Sequence, residues 1–268
     1  MRRLHAEERA HLDEKGYVVI KGLYSEDEVR DIRHEFEKEW MDLIRDQTFT
    51  QEKARPLTSL FYPVRDRHLV NERLKKLMLD PRNFSLIEDI LGEEPLAVGT
   101  GCFYKAPGAE VLPFHQDNYD IGVTPGTTWA VWISLDEATK ENGALRFVPG
   151  TQQMELQPPR LPAHISTYGQ AVRVPKGYVI DDVPTSPGDA VLFNGQILHG
   201  SNANQTSYQF RRAFVTHFTS IEVKKVFVHY NSLFNRHGEI VKRKLNKAHK
   251  LQFEKPFLRQ QDRSTSSP

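Results

Sequence analysis

Residues 128–150 read TWAVWISLDEATKENGALRFVPG. Their pattern decides between a sheet wound with helical crossovers and one made of strands and turns. Residues 128–135 are a β-branched and aromatic run of strand length, and ALRFV at 144–148 is a second. The segment between them carries Asn142-Gly143, a turn pair, and no helix-length apolar pattern. The same texture extends outward to LAVGTGCFY at 96–104, AVLF at 190–193 and AFVTHF at 213–218, with PG at 107, 125 and 149 and PGD at 187 as punctuation. Many short strands separated in this way predict a sandwich or barrel, whereas a parallel α/β sheet needs helices between its strands. The expected fold class is mainly β with flanking helices.

The flanks have helical signals. Ser25-Glu26-Asp27-Glu28 is a capping box that follows the apolar run Tyr17-Val18-Val19-Ile20 and Gly22. Val29, Ile32 and Phe36 then recur at helical spacing, which predicts a helix to about Trp40. Further helical stretches run from Glu72 to Leu79, and after Pro81 through Phe84, Ile87, Ile90 and Leu91 to Gly92. Residues 1–95 therefore read as a helical outer layer and lid, 96–220 as the β core, and 221–268 as a basic, helical extension with a frayed RSTSSP end. No linker divides them, so one domain is expected.

Composition narrows the function classes. Hydrophobic residues make up 38% and charged residues 26%, the balance of a soluble chain able to bury a sizeable core. A net charge of +1 argues against nucleic acid as a partner, and KRKLNKAHK at 242–250 reads as a solvated helix face. No apolar run is long enough to span a membrane, and MRRLHAEERAHL lacks the apolar region of a secretory signal. The single cysteine, Cys102, suits a reducing compartment, and a cytoplasmic location is expected. Arg3-Leu4 with His11-Leu12 approaches an amino-terminal peroxisomal address, with a spacer one residue too long. Oligomeric state is not legible from the sequence.

Residues 114–117 read FHQD. With 111–118 extended, His115 and Asp117 would point to one face, because strand side chains alternate. Alone this is a weak signal, since a satisfied surface or core pair is the commoner outcome. The other half of the pattern is PGDAVLFNGQILHGSNANQTSYQFRRAF at 187–214, where a β run leads to His199 and Arg211 follows on the next strand. Two histidines and one carboxylate make the facial triad of non-haem Fe(II) oxygenases, which leaves one face of the octahedron open for a chelating cosubstrate and O₂. An arginine on the next strand can hold a distal carboxylate in a bidentate pair.

With these residues together, the chain resembles the phytanoyl-CoA dioxygenase family of Fe(II)- and 2-oxoglutarate-dependent oxygenases. The likeness runs through GYVVIKGLYSEDEV, FHQD, WISLDEATKENGALRFVPGT, PGDAVLFNGQILHGSN and FRRAF. It implies a double-stranded β-helix (a jelly-roll, cupin-like barrel) with iron at its mouth. It also implies His115, Asp117 and His199 as iron ligands, Arg211 on the C5 carboxylate of 2-oxoglutarate and Ser201 as a second contact to that carboxylate. The implied cofactors are Fe(II), 2-oxoglutarate and O₂, with ascorbate stimulatory. The implied reaction releases succinate and CO₂ as an unactivated C–H bond of a small-molecule metabolite is oxidised. Related halogenases lack the carboxylate that Asp117 supplies, so hydroxylation is favoured, with desaturation, epoxidation or ring formation as variants. A role in biosynthesis of secondary metabolites is expected from the breadth of the family.

The chain also departs from the family. The family often has a histidine after the PG-Ser/Thr turn, but Gln152 follows Gly150-Thr151 here. Arg212 stands beside Arg211, and alternation puts Arg211, Ala213 and Val215 on one face and Arg212, Phe214 and Phe218 on the other. Lys105 can project towards the cosubstrate or an anionic substrate, or end its strand in solvent. His217 reads as a hydrogen-bonded core histidine. In the aromatic and basic segment 54–68, Tyr62, Arg65 and Arg67 are candidate substrate contacts, suited to a ring or apolar body with a carboxylate or phosphate. Two other classes stay open: a non-catalytic jelly-roll binding protein, and a cupin-type metalloenzyme that does not use 2-oxoglutarate.

Overall fold

A computed structural model describes residues 2–158, 170–230 and 232–247. Its helices are α1 (Ala6–Lys15), α2 (Glu26–Arg45), α3 (Glu72–Met78), α4 (Pro81–Leu91) and the short α5 (Asp117–Ile121). Its strands are β1 (Tyr17–Ile20), β2 (Val64–Arg65), β3 (Pro95–Lys105), β4 (Leu112–His115), β5 (Trp129–Ser134), β6 (Leu145–Val148) and β7 (Asp181–Val183). They continue with β8 (Ala190–Asn194), β9 (Leu198–Ser201), β10 (Arg211–Ser220), β11 (Lys225–Val226), β12 (Ser232–Phe234), β13 (Ile240–Lys242) and β14 (Lys244–Leu245).

Two antiparallel sheets face each other, as in a jelly-roll. The larger has the order β1-β8-β5-β10-β3-β12-β13, with β2 also on β3, and the smaller has the order β4-β9-β6-β7. Alternation along the strands sorts their residues into two cores. Ala130, Trp132, Val191, Phe193, Ala213 and Val215 of the large sheet point inward and meet Leu145, Phe147 and Val183 of the small one. Val131, Ile133, Leu192, Phe214 and Phe218 point outward and are covered by Val29, Phe36 and Trp40 of α2, Leu74 of α3 and Phe84 and Ile87 of α4. Burial on both faces is why these strands read as continuous apolar runs rather than alternating ones.

The helical signals place α2, α3 and α4. Ser25 Oγ accepts from Glu28 N at 3.3 Å, and Glu28 Oε2 accepts from Ser25 N at 2.8 Å, which is the anticipated capping box. Two expectations need correction. The segment 1–95 is not purely helical: β1 pairs with β8 at the edge of the large sheet, and β2 adds to β3. The region from 221 onward is not a helix within the described residues. Its short strands β12 and β13 extend the large sheet, while β11 and β14 pair in parallel. Leu233, Val223 and Val226 are buried there, so packing on β3, not charge pattern, sets the backbone. The part of the basic tail beyond 247 and the RSTSSP end lie outside the described residues.

Candidate metal centre and its cavity

His115 closes β4 and His199 lies on β9, where the ladder pairs the two residues directly. Their ring centroids are 4.3 Å apart. Asp117 does not sit on an extended strand as the alternation argument assumed. Gln116 is the last extended residue, and Asp117 opens α5, where an acid favours the free N–H groups of a first turn. Convergence therefore comes from a strand end turning into a helix. His115 Nε2 and His199 Nε2 lie 3.5 and 3.6 Å from Asp117 Oδ1. The three ligand atoms fall within 4.8 Å of one another, a grouping able to hold a metal ion.

The histidines are turned for coordination. Nδ1 of His115 contacts the Pro113 carbonyl at 2.8 Å, and Nδ1 of His199 contacts the Ile197 carbonyl at 3.1 Å. A carbonyl only accepts, so each Nδ1 carries a hydrogen, and each Nε2 is turned towards Asp117 Oδ1, where it could coordinate a metal ion. Burial pushes His199 down to about 4. Burial also works against a charge on His115, but the hydrogen bond and charge of Asp117 outweigh it and hold that imidazole above its ordinary value. Burial opposes ionisation of Asp117, yet the histidines around it prevail and its carboxyl stays well below the usual range. Two oriented imidazoles and a carboxylate fit Fe(II) by donor type and number.

Arg211 opens β10 on its inner face. Its Nε donates to the Gly143 carbonyl at 3.0 Å, and its guanidinium lies 5.5 Å from the Trp132 ring centroid. Its partner across the ladder is Lys105 at the end of β3, so two basic side chains share one face. Lys105 is only 9% exposed and donates from Nζ to Ser201 Oγ at 2.9 Å. Burial and the neighbouring Arg211 push its amine down to about 6. Like charges opposite each other on a ladder repel, and an anion between them removes the conflict. Arg211, Lys105 and Ser201 can thus receive a carboxylate. Arg212 turns to the opposite face, where Asp136 and Glu37 each lie 2.8 Å from it.

The three substrate candidates separate. Arg65 lines the cavity that holds the His-Asp-His group, with Nη1 donating to Tyr230 Oη at 2.9 Å and Nη2 lying 3.7 Å from Asp120. Tyr62 lines an adjoining cavity that shares Phe103, Leu112 and Arg211 with the first, and its hydroxyl donates to Glu52 at 3.1 Å. Arg67 lines neither. It pairs with Glu39 of α2, a nearly buried carboxylate that needs a counter-charge, and so leaves the candidate list.

Sequence reasoning left other contributors without a role. Gln116, between two of the grouped residues and 1% exposed, donates to the Gln196 carbonyl at 2.8 Å, while its Oε1 accepts from Gln157 N at 2.7 Å. It ties FHQD to the turn before His199. Thr151, where the family pattern and this chain diverge, accepts from Leu198 N at 2.9 Å and anchors the same strand, and the neighbouring Gln152 turns outward to the Glu14 carbonyl. His217 meets Asp117, and Tyr230 and Asp120 come to Arg65 from remote segments; no local pattern signals such long-range meetings.

Comparisons with known proteins bear on family and fold. The family model described as phytanoyl-CoA dioxygenase (PhyH) matches residues 12–213. The peroxisomal phytanoyl-CoA dioxygenase of Rattus norvegicus is 27% identical over 259 residues, which covers 89% of this chain and 75% of that protein. A phytanoyl-CoA dioxygenase domain-containing protein 1 homolog of Caenorhabditis briggsae is 30% identical over 199 residues, covering 69% and 66%. Among solved structures, EctD from S. alaskensis with bound Fe superposes with a TM-score of 0.66 at 19% identity, over 91% of this chain and 81% of that one. The epimerase SnoN in complex with Fe3+, alpha ketoglutarate and nogalamycin RO gives a TM-score of 0.64 at 20% identity, over 81% and 84%. The structural likenesses establish the jelly-roll fold, and the match over residues 12–213 establishes kinship: the chain belongs to the phytanoyl-CoA dioxygenase family of Fe(II)- and 2-oxoglutarate-dependent oxygenases.

Proposed function

We propose that the chain hydroxylates an unactivated C–H bond of a small organic metabolite, with His115, Asp117 and His199 holding Fe(II) and Arg211, Ser201 and Lys105 holding the distal carboxylate of 2-oxoglutarate. The observation that carries this reading is the presence of both receptors in one cavity system. A three-donor group faces the first cavity, and Arg211, which anchors the carboxylate receptor, lines both cavities. When bound, iron and 2-oxoglutarate supply the oxidising power drawn from O₂.

The chain's own residues do the rest. Tautomers fixed by backbone carbonyls aim the Nε2 lone pairs, the cation pair orients the cosubstrate, and Trp132, Phe193 and Val215 keep the reacting region apolar. Arg65, half-exposed on the wall with Tyr230 and Asp120, is the proposed contact for a polar end of the substrate, with Tyr62 at the adjoining cavity. Solved structures of similar fold bound to nogalamycin RO and to 5-hydroxyectoine support a small-molecule substrate, and the origin of SnoN in nogalamycin biosynthesis supports a biosynthetic setting. Among the described residues no helix is long and apolar enough to cross a membrane. We place the work in the cytoplasm, a reducing compartment suited to the single thiol Cys102.

The test is succinate release from 2-oxoglutarate by purified protein with Fe(II), ascorbate and O₂, with a metabolite pool screened for stimulation. Turnover by the wild type and its loss in His115→Ala supports the proposal. Absence of turnover together with absence of metal-dependent 2-oxoglutarate binding would overturn it in favour of a binding module.

A further inference from the structure

We infer that His217 is a positioning residue that reserves one oxygen of Asp117 for itself and so limits the carboxylate to a single metal bond. The inference rests on the metal reading of the site proposed above. Asp117 Oδ1 is the oxygen near both histidines of the group, at 3.5 and 3.6 Å, whereas Oδ2 lies 3.1 Å from His217 Nε2. An ionised carboxylate only accepts, so Nε2 of His217 carries the hydrogen and donates it. The two oxygens thus face different elements.

The placement of His217 is built into β10. It follows Arg211, Ala213 and Val215 on the inner face and lines the cavity with 18% of its side chain exposed. Its partners across the two flanking ladders are Gly99 and Ala130, which put little bulk beside the ring. The register with β3 shifts directly after it, between His217 and Phe218, and irregularities of this kind re-aim side chains near functional sites. A ring needed only to fill space would gain nothing from pointing a nitrogen at a carboxylate.

The consequence is a matter of vacant positions. A carboxylate with both oxygens free can bind a metal through both and take two of six octahedral positions. With Oδ2 held, Asp117 would offer a bound metal one oxygen, and His115, Asp117 and His199 would together supply three donors and leave three octahedral positions. Two are needed for a chelating 2-oxoglutarate and one for O₂. His217 would therefore keep that face open by holding Asp117 Oδ2, without being a ligand itself.

The test loads Co(II) into the wild type, His217→Phe and His217→Gln, and measures Co(II) affinity, the ligand-field absorption spectrum and the affinity of the Co(II) form for 2-oxoglutarate. Circular dichroism and thermal melts report folding. The expected result is a folded Phe variant with Co(II) affinity lower by about 10- to 100-fold, an altered spectrum and weakened 2-oxoglutarate binding. His217→Gln, which retains an N–H donor, is expected to recover most of each. If the Phe variant does not fold, His217→Ala takes its place in the comparison. Wild-type affinity, spectrum and 2-oxoglutarate binding in a folded non-donor variant would overturn the inference alone. Failure of the wild type to bind Co(II) would overturn the metal reading and the inference with it.

Discussion

The amine of Lys105 is pushed down to about 6, so at pH 7.5 it is mainly unprotonated while no anion lies beside it. A carboxylate placed between Lys105 and Arg211 favours the ammonium form and raises that value. Binding of 2-oxoglutarate at pH 7.5 is therefore expected to take up a proton, approaching one per site. Below pH 6 the amine is already charged and the uptake disappears. Titration calorimetry in buffers of different ionisation enthalpy measures this directly, and Lys105→Met is expected to abolish it. Persistent uptake in that variant would assign the proton to another group. At this scale the sequence was partly legible. Alternation put Arg211 and Arg212 on opposite faces without saying which face meets the centre, and the structure pairs Arg212 with Asp136 and Glu37. The bond from Lys105 to Ser201 joins residues 96 positions apart, and no local pattern encodes it.

Gly200 shows how a ladder holds the centre together. A Cβ at this position would lie 2.5 Å from the Leu112 carbonyl oxygen and 3.2 Å from that of Pro113, both on the backbone of β4. Neither can yield without the strands parting, and His115 and His199 face each other across that same ladder. Gly200→Ala is thus expected to weaken metal affinity by at least about tenfold, read by Co(II) titration of the folded variant. The helix caps predict a different response. Ser25→Ala removes the acceptor for Glu28 N and is expected to cost about 0.5–2 kcal/mol in urea unfolding, with metal affinity unchanged. Elements with strong local signals were legible: the capping box of α2, Pro81 and Gly92 bounding α4, and the apolar runs of β5, β8 and β10. Those made by tertiary contact were not. Asp117 begins a five-residue helix inside an extended-looking stretch, and β13 carries an exposed Ile240 with no core pattern to announce a strand.

Across the whole molecule, β10 is shared by two functions on its two faces. Its inner face presents Arg211 and His217, and its outer face presents Phe214, whose ring meets Phe36 of α2 edge-on at a centroid distance of 6.3 Å. Phe36 is fully buried, so Phe36→Ala is expected to lower stability by about 3–5 kcal/mol, measured by chemical denaturation. Metal affinity of the fraction that remains folded should stay at the wild-type value; a parallel loss would mean that the helical layer also shapes the centre. A sandwich or barrel was legible because the strands of the core are apolar and closely punctuated, and the jelly-roll itself was implied by the family resemblance. The place of β1 was not, since Tyr17 pairs with Phe193 across most of the chain. That pairing matters during synthesis. Residues 17–20 leave the ribosome long before their partners at 190–193, and at ordinary elongation rates they wait roughly 10 to 35 s as an unpaired apolar edge. The charged flank AEERAHLDEK immediately before them is suited to keep nascent chains from joining through that edge until the partner strand arrives.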